Sequence, residues 1–145
     1  MIVVDVNLLL YAVVDGFPQH EAARSWWDQT INSPAQVGLS GPALFGFLRI
    51  STNARIIEPA LPVERALRYV DDWLAQPNAE FLVPGPRHLA IAFTLLESLG
   101  TAGNLTTDVQ LAAHAIEHDG ELHSNDADFG RFADLRWVNP LAKSA

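Results

Sequence analysis

Four aspartates occupy positions at which a folded chain would bring their side chains together. Asp5 interrupts the apolar stretch IVVDVNLLLY, and Asp108 follows the turn-forming segment TAGNLTT. Asp126 and Asp128 lie in SNDADF, at the end of the short segment ELHSND, which is predicted as a strand that ends in polar residues. Burying an unpaired carboxylate costs several kcal/mol, so Asp5 needs a partner, a proton or a cation. Carboxylates packed together repel one another unless a cation joins them, and hard oxygen ligands favour Mg²⁺ or Mn²⁺.

Apolar periodicity predicts the elements that would position these acids. Strands are predicted at 2–6, 35–40, 80–84, 121–126 and 135–138, and helices at 19–31, 43–52, 62–75, 86–100 and 109–120. This alternation predicts an α/β fold whose mostly parallel sheet is covered by helices on both faces. Sites in such folds form beyond the carboxyl ends of strands. We therefore expect Asp5 and Asn7 to close the first strand, Asp126 and Asp128 to follow a late one, and Asp108 to begin a helix.

Each acid also has an ordinary structural interpretation. Asp5 is compatible with a turn-stabilising role, and either Asp108 or its neighbour Thr107 is compatible with a helix cap. The segment SNDADF, taken alone, is more often a turn than a site. Taken together, positions at the ends of strands and helices favour the functional interpretation.

Composition limits the kinds of protein that this chain encodes. Its 145 residues predict one domain, 1–145, whose last few residues form a flexible tail. No apolar run approaches about 18 residues, and the N-terminus is typical of a strand rather than a signal peptide, so we expect a cytoplasmic protein. The net charge of −8 argues against binding nucleic acid through bulk positive potential. It does not argue against an enzyme whose metal ions supply local positive charge.

Several other chemistries find little support. The chain has no cysteine, which removes thiolate catalysis and thiolate metal sites, and its serines lack a persuasive His/Asp arrangement. An aspartyl phosphatase of the HAD type needs a lysine for the phosphoryl group, and the only one, Lys143, lies in the expected tail. His114 and His118 have a spacing that suits zinc, but no third-ligand motif accompanies them. We expect both histidines on a helix surface.

Three segments, taken in order, resemble a known family. They are VDVNLLLY, FLRISTNARI and GNLTTDVQLAAHAIEHDGELHSNDADFGRFADLRW. They are similar to the PIN-domain ribonucleases, and more closely to the VapC toxins of bacterial type II toxin–antitoxin modules in their mycobacterial subgroup. The resemblance covers about residues 1–140. It implies a PIN-like three-layer α/β/α fold and Mg²⁺- or Mn²⁺-dependent hydrolysis of phosphodiester bonds in tRNA or rRNA.

The resemblance also implies roles for individual residues. Asp5, Asp108 and Asp126 would be the catalytic acids and metal ligands, with Asp128 as a further ligand close by. Asn7 would orient the first acid or a bound water.

One acid of the broader family pattern is missing. The second acid belongs on the helix after the second strand, and its place falls at Gly46 or a neighbour in PALFGF, where no carboxylate occurs. This departure leaves open a single tightly held ion, a second ion bound only with substrate, or compensation by Asp128. It also leaves a rival hypothesis: a catalytically impaired module that acts by binding a protein partner or RNA.

Partners follow from the same resemblance. The candidates for phosphate contacts are Arg49, Arg55, Arg87 and Arg131, each of which is equally compatible with a solvated surface position. The adjacent Trp26 and Trp27 cannot both face the core from one helix, so we expect one of them on a contact surface. By resemblance, that surface would dock a VapB-like antitoxin, and the toxin would form a homodimer.

Overall fold

The N-terminal strand lies in the middle of a five-stranded parallel sheet. A computed structural model describes residues 1–142, so the expected tail and Lys143 lie outside the described residues. The strands are β1 (Ile2–Val4), β2 (Val37–Ser40), β3 (Ala79–Leu82), β4 (Glu121–His123) and β5 (Arg136–Val138). Their order is β3-β2-β1-β4-β5, and every neighbouring pair is parallel.

Six α-helices connect these strands within the described part of the chain. They are α1 (Val6–Val13), α2 (His20–Ile31), α3 (Gly41–Ser51), α4 (Val63–Leu74), α5 (His88–Leu99) and α6 (Thr106–Glu117). Short 3-10 helices occupy Gly103–Leu105 and Ala127–Arg131. Helices α1 to α4 pack against one another, and α5 packs against α6. The predicted α/β class with a parallel sheet is thereby confirmed. None of the described helices is both long enough and apolar enough to cross a bilayer.

The strand order creates one switch point in the sheet. The chain moves from β1 outward to β2 and β3, then returns to the other side of β1 to add β4 and β5. The two directions of winding diverge between β1 and β4. Because the connections after β1 and β4 run in opposite directions, a crevice forms beyond the carboxyl ends of these two strands. This crevice is the usual ligand position in such sheets.

The first strand is shorter than predicted. It ends at Val4, and α1 begins two residues later with Asp5 as its N-cap, so the predicted strand 2–6 is wrong at its end. Asn7 therefore lies in the first turn of a helix and does not close a strand. The prediction missed α1 because its short run of buried leucines has no clear periodicity. A short, continuous apolar run is compatible with a buried helix as well as with a strand.

The boundaries of α6 also differ from the prediction. The helix begins at Thr106 and has Leu105 at its cap, so Asp108 lies in the first turn and neither Asp108 nor Thr107 is the cap. It ends at Glu117, before the predicted 120. Residue 120 must be a glycine because a Cβ there would collide with the carbonyl oxygen of Met1. That oxygen accepts a hydrogen bond from the amide of Glu121, the first residue of β4.

The two adjacent tryptophans are divided between the core and its margin. Trp27 is 4% exposed and meets Trp73 edge to face at 5.7 Å between ring centroids. Trp26 is partly buried and stacks on His123, also at 5.7 Å. Trp26 is therefore the member of the pair that retains access to solvent.

A buried histidine pair joins α5 to α6. His114 is 2% exposed, and its ring lies 4.4 Å from that of His88 between centroids, so the expectation that His114 is a surface residue is wrong. Nδ1 of each ring is buried without a hydrogen-bond partner among the described residues. Burial, and next the neighbouring His88 and His118, lower the pKa of His114 to about 4. Of the two histidines, only His118, the C-cap residue that follows α6, is exposed as predicted.

We predict that this pair makes the fold acid-sensitive. The unfolded chain protonates His114 near pH 6.5 and the folded chain only near pH 4, so stability is lost as the pH falls through this window. The free energy of unfolding should drop by about 3 kcal/mol from this residue. Urea unfolding at several pH values should show a shallower acid loss for His114→Leu than for the wild type. His118→Gln is the control, and an unchanged slope in His114→Leu would contradict the prediction.

Candidate active site

Asp5 is a buried carboxylate at the switch point. It is 8% exposed, and its backbone amide donates to the carbonyl oxygen of His123 at 3.0 Å, which joins the end of β1 to the end of β4. Oδ1 accepts from the amide of Val6 at 2.7 Å, and Oδ2 accepts from the hydroxyl of Ser124 at 2.7 Å. Burial raises the pKa of Asp5, the two hydrogen bonds oppose that rise, and the charge of Asp126 adds to it.

Ser124 connects the polar groups around Asp5. The residue is fully buried, and its hydroxyl donates its single proton to Asp5. The same oxygen accepts from the amide of Asp126 at 3.0 Å and from Nδ2 of Asn7 at 3.3 Å. Oδ1 of Asn7 in turn accepts from the amide of Asn125 at 3.4 Å. The strand-end rule places Ser124 beside Asp126 but assigns it no positioning role; its place between a buried strand and an acid was the available signal.

The other acids approach Asp5 from two further elements. Asp108 projects from the first turn of α6, and burial followed by the charges of Asp5, Asp126 and Asp128 raises its pKa to about 6, against an opposing effect of Arg131. Asp126 caps the 3-10 helix, and its Oδ1 accepts from the amide of Asp128 at 2.9 Å. The four acids therefore face one region of negative potential.

The donor chemistry of this region fits a hard divalent cation. The carboxylates provide oxygen ligands and an excess of negative charge, which adds to the effect of burial in raising the pKa of Asp5 and Asp108. Within residues 1–142, however, no group of three or more histidine, aspartate or glutamate side chains is close enough to hold an ion directly. A closed cage of three protein ligands is not what Mg²⁺ requires, because this ion usually keeps several waters and takes one or two carboxylates plus substrate phosphates.

A cleft of about 360 Å³ opens beside two of the acids. Its walls come from the start of α1, one face of α3 and the first turn of α6; they consist of Asp5, Val6, Pro42, Phe45, Gly46, Arg49, Ile50, Thr107 and Asp108. Gly46, the predicted place of the missing acid, thus lies in the wall of this cleft. A Cβ at Gly46 would lie 2.7 Å from Cγ2 of Val6, so a side chain is excluded while Val6 holds its position.

Only two of the four candidate arginines lie near the acids. Arg49 lines the cleft, and Arg131 is close enough to Asp108 to lower its pKa. Arg55 lies in the exposed turn after α3 and is not among the residues that line the cleft.

The expectation that Arg87 contacts phosphate near the site does not fit its position. Its guanidinium donates to the carbonyl oxygen of Glu117 at 2.7 Å, and its amide donates to the carboxylate of the same residue at 2.8 Å. Glu117 ends α6, nine residues beyond Asp108, which corresponds to about 14 Å of helix. Arg87 therefore secures the segment before α5 at the opposite end of α6.

Comparison with known proteins identifies the class to which this architecture belongs. The PIN domain family matches residues 2–135. Ribonuclease VapC33 of Mycobacterium tuberculosis is 60% identical over 141 residues, which cover 97% of this chain and 99% of the relative. Ribonuclease VapC37 of the same organism is 39% identical over 98% of this chain and 99% of its own. The protein is a member of the VapC family of PIN-domain proteins.

Solved structures agree on the fold. VapBC2 from Rickettsia felis, bound to a DNA fragment from its promoter, gives a TM-score of 0.70 at 19% identity, over 96% of this chain and 98% of that chain. VapC20 of Mycobacterium tuberculosis, described as a toxin that cleaves the sarcin-ricin loop, gives 0.68 at 16% identity, over 94% and 99%. At these identities the likeness concerns the chain path alone.

We predict that Gly46 is required by packing. Gly46→Ala should lower the free energy of unfolding by about 1–3 kcal/mol, because the added methyl overpacks against Val6. Val6→Ala should recover much of this loss in the double variant, since the two substitutions are coupled through one contact. Gly41→Ala on the same helix is the control, because a Cβ there meets nothing within 4 Å. Denaturant unfolding measures these three variants together with the single Val6→Ala variant, and losses that simply add in the double variant would contradict the contact.

We also predict that the ionised Asp108 carboxylate lowers the free energy of unfolding. With its pKa raised to about 6, the residue is ionised at pH 7 in the folded state against repulsion, so its own contribution to the free energy of unfolding should become more favourable as the pH falls through 6, opposite in sign to that of His114. Asp108→Asn should therefore stabilise the protein in EDTA by about 1–2 kcal/mol after allowance for solvent screening. It should also reduce the stabilisation that added Mg²⁺ gives the wild type. Thermal melts test both effects, with the exposed Asp71→Asn as control; destabilisation in EDTA would refute the prediction.

Proposed function

We propose that this protein is the toxin of a toxin–antitoxin pair and hydrolyses RNA phosphodiester bonds with the aid of Mg²⁺ or Mn²⁺. The observation that carries this proposal is the buried Asp5 carboxylate at the switch point of the sheet, which lines one cleft together with Asp108. Membership of the VapC family, and relatives named ribonucleases, support the same activity. The RNA class proposed is tRNA or rRNA; the described action of VapC20 on the sarcin-ricin loop supports a structured RNA with exposed bases.

The residues divide into ligands and positioning groups. Asp5 and Asp108, which line one cleft, would hold the cation together with its bound waters, and Asp126 and Asp128 would add negative charge from the neighbouring loop. When bound, the ion supplies Lewis acidity toward water and the scissile phosphate. Ser124 and Asn7 keep the Asp5 carboxylate in one orientation through the hydrogen bonds described above. A carboxylate of the group that the ion does not engage accepts the proton of the attacking water.

The proposed partners are a VapB-like antitoxin and a second copy of this chain. Neighbouring structures that contain both toxin and antitoxin support the first. The net charge of −8 suits a basic antitoxin segment that reaches the carboxylates. We place the toxin in the cytoplasm, where its RNA substrates are.

A second candidate is the non-catalytic binding module. The observation that favours it is the packing of Val6 against Gly46, which removes the family's second acid. A site with fewer carboxylates binds a cation more weakly, and an inactive chain would retain its fold and its partners.

The deciding experiment maps RNA ends in cells after controlled expression and repeats the cleavage with purified protein. The wild type should cut at defined positions with Mg²⁺ or Mn²⁺, and EDTA should stop cleavage. Asp5→Ala should lower the rate by about 100-fold or more. Asp71→Ala, an exposed acid on α4, should cleave like the wild type. If the wild type and Asp5→Ala are equally inert on the cellular RNA pool, the binding module is the correct function.

A further inference from the structure

Phe45 is a bare aromatic side chain in the wall of the acidic cleft. It is 70% exposed, the highest value among the exposed large apolar side chains of the described residues. The other side of the same helix is buried through Ala43, Leu44 and Phe47, so α3 does not need Phe45 for its own packing. Its exposure beside the charged groups of the cleft leaves one face of the ring free to contact a ligand bound there.

The surroundings of Phe45 define the chemistry of that contact. Arg49 follows at i+4, which places both side chains on one face of α3, and both line the cleft that contains Asp5 and Asp108. The cleft thus offers an aromatic face, a guanidinium and the candidate acids within one space of about 360 Å³. An aromatic face suits a nucleobase, and a guanidinium suits a phosphate.

We propose that Phe45 stacks on an unpaired base beside the scissile phosphate of the RNA, while Arg49 binds a flanking phosphate. The proposal rests on the nuclease function proposed above and specifies its substrate: the nucleotide in this cleft is single-stranded. A base inside a duplex has both faces covered by its neighbours, so only a base in a loop, bulge or end offers a free face to Phe45.

The position of the ring favours RNA over a protein partner. An apolar protein surface that covered Phe45 would also cover Arg49 and the opening above Asp108, and would bury these charges without compensation; a basic antitoxin segment would match the carboxylates but would leave Arg49 unpaired. A nucleotide satisfies these groups together, because its base is apolar on the face and its phosphate is anionic. The missing acid is consistent with this assignment, since the packing of Gly46 on Val6 leaves that stretch of wall apolar.

The test combines a protein variant with removal of the base. The substrate is an RNA hairpin that carries a cleavage site mapped in cells, together with versions that have one abasic nucleotide within two positions of the cut bond. Loss of stacking should slow cleavage of the intact hairpin by Phe45→Ala about 5- to 150-fold. When the abasic nucleotide replaces the stacked one, cleavage by the wild type should slow by a similar factor. Phe45→Ala should then cleave that abasic RNA as fast as the wild type does. Phe45→Trp should retain the rate, and Phe45→Leu should not, because leucine lacks a π-face.

A matched control and a second measurement separate the alternatives. Phe93→Ala removes an aromatic of similar exposure from α5, away from the cleft, and should cleave like the wild type. If Phe45→Ala cleaves the intact hairpin at the wild-type rate, or loses rate equally at every abasic position, the stacking proposal fails while the nuclease function stands. If light scattering shows that Phe45→Ala converts a dimer to a monomer, the ring belongs to a protein interface and the proposal also fails. An inert wild type overturns both.

Discussion

The hydrogen bond between the Ser124 hydroxyl and the Asp5 carboxylate is the interaction on which the site depends. It joins the end of β1 to the end of β4, the two strands between which the direction of winding changes. Without a donor, a carboxylate that is 8% exposed would be driven toward its protonated form. With it, and with the Val6 amide at the helix start, the residue keeps a defined orientation. The same serine oxygen accepts from Asn7 and from the Asp126 amide, so one buried hydroxyl sets the geometry on both sides of the crevice.

The Gly46–Val6 contact shows how packing and chemistry compete for the same volume. A site acid at this place in α3 would need space between α1 and α3, and that space is filled by the valine next to Asp5. Close approach of the two helices helps to bury the leucines of α1 and therefore the first acid itself. The local charge is also lower than it would be with another carboxylate, which lessens the repulsion that the remaining aspartates exert on Asp108.

The sequence was most informative where local chemistry and chain topology agree. Asp5, Asp108 and the pair at 126 and 128 were expected at one rim of the sheet because strand ends in parallel α/β folds share an edge. In the structure Asp5 and Asp108 line one cleft, and no three acids of the described residues form a direct metal-binding cluster. The helix α1 was missed because a short apolar run has no readable period. Spacing along the sequence does not show which tertiary hydrogen bonds a single side chain makes, as the case of Ser124 illustrates.

Long-range packing accounts for the remaining differences. His114 has the spacing of a surface pair with His118, but α5 covers one of the two and leaves the other in water. Arg87 lies far from the acids because Glu117 binds it at the other end of α6. Neither partner is a neighbour in sequence, so no local pattern indicates them.

The outer position of β3 has a consequence for handling the protein at high concentration. Within the described residues β3 pairs only with β2, which leaves one row of its backbone groups open to another chain. Its side chain Phe81 and the following Val83 are exposed beside that row. The strand is only four residues long and carries Glu80, and short length and charge are the features that discourage edge-to-edge aggregation. Neutralising Glu80 would remove one of these two protections and favour aggregation through an edge that lies two strands away from β1.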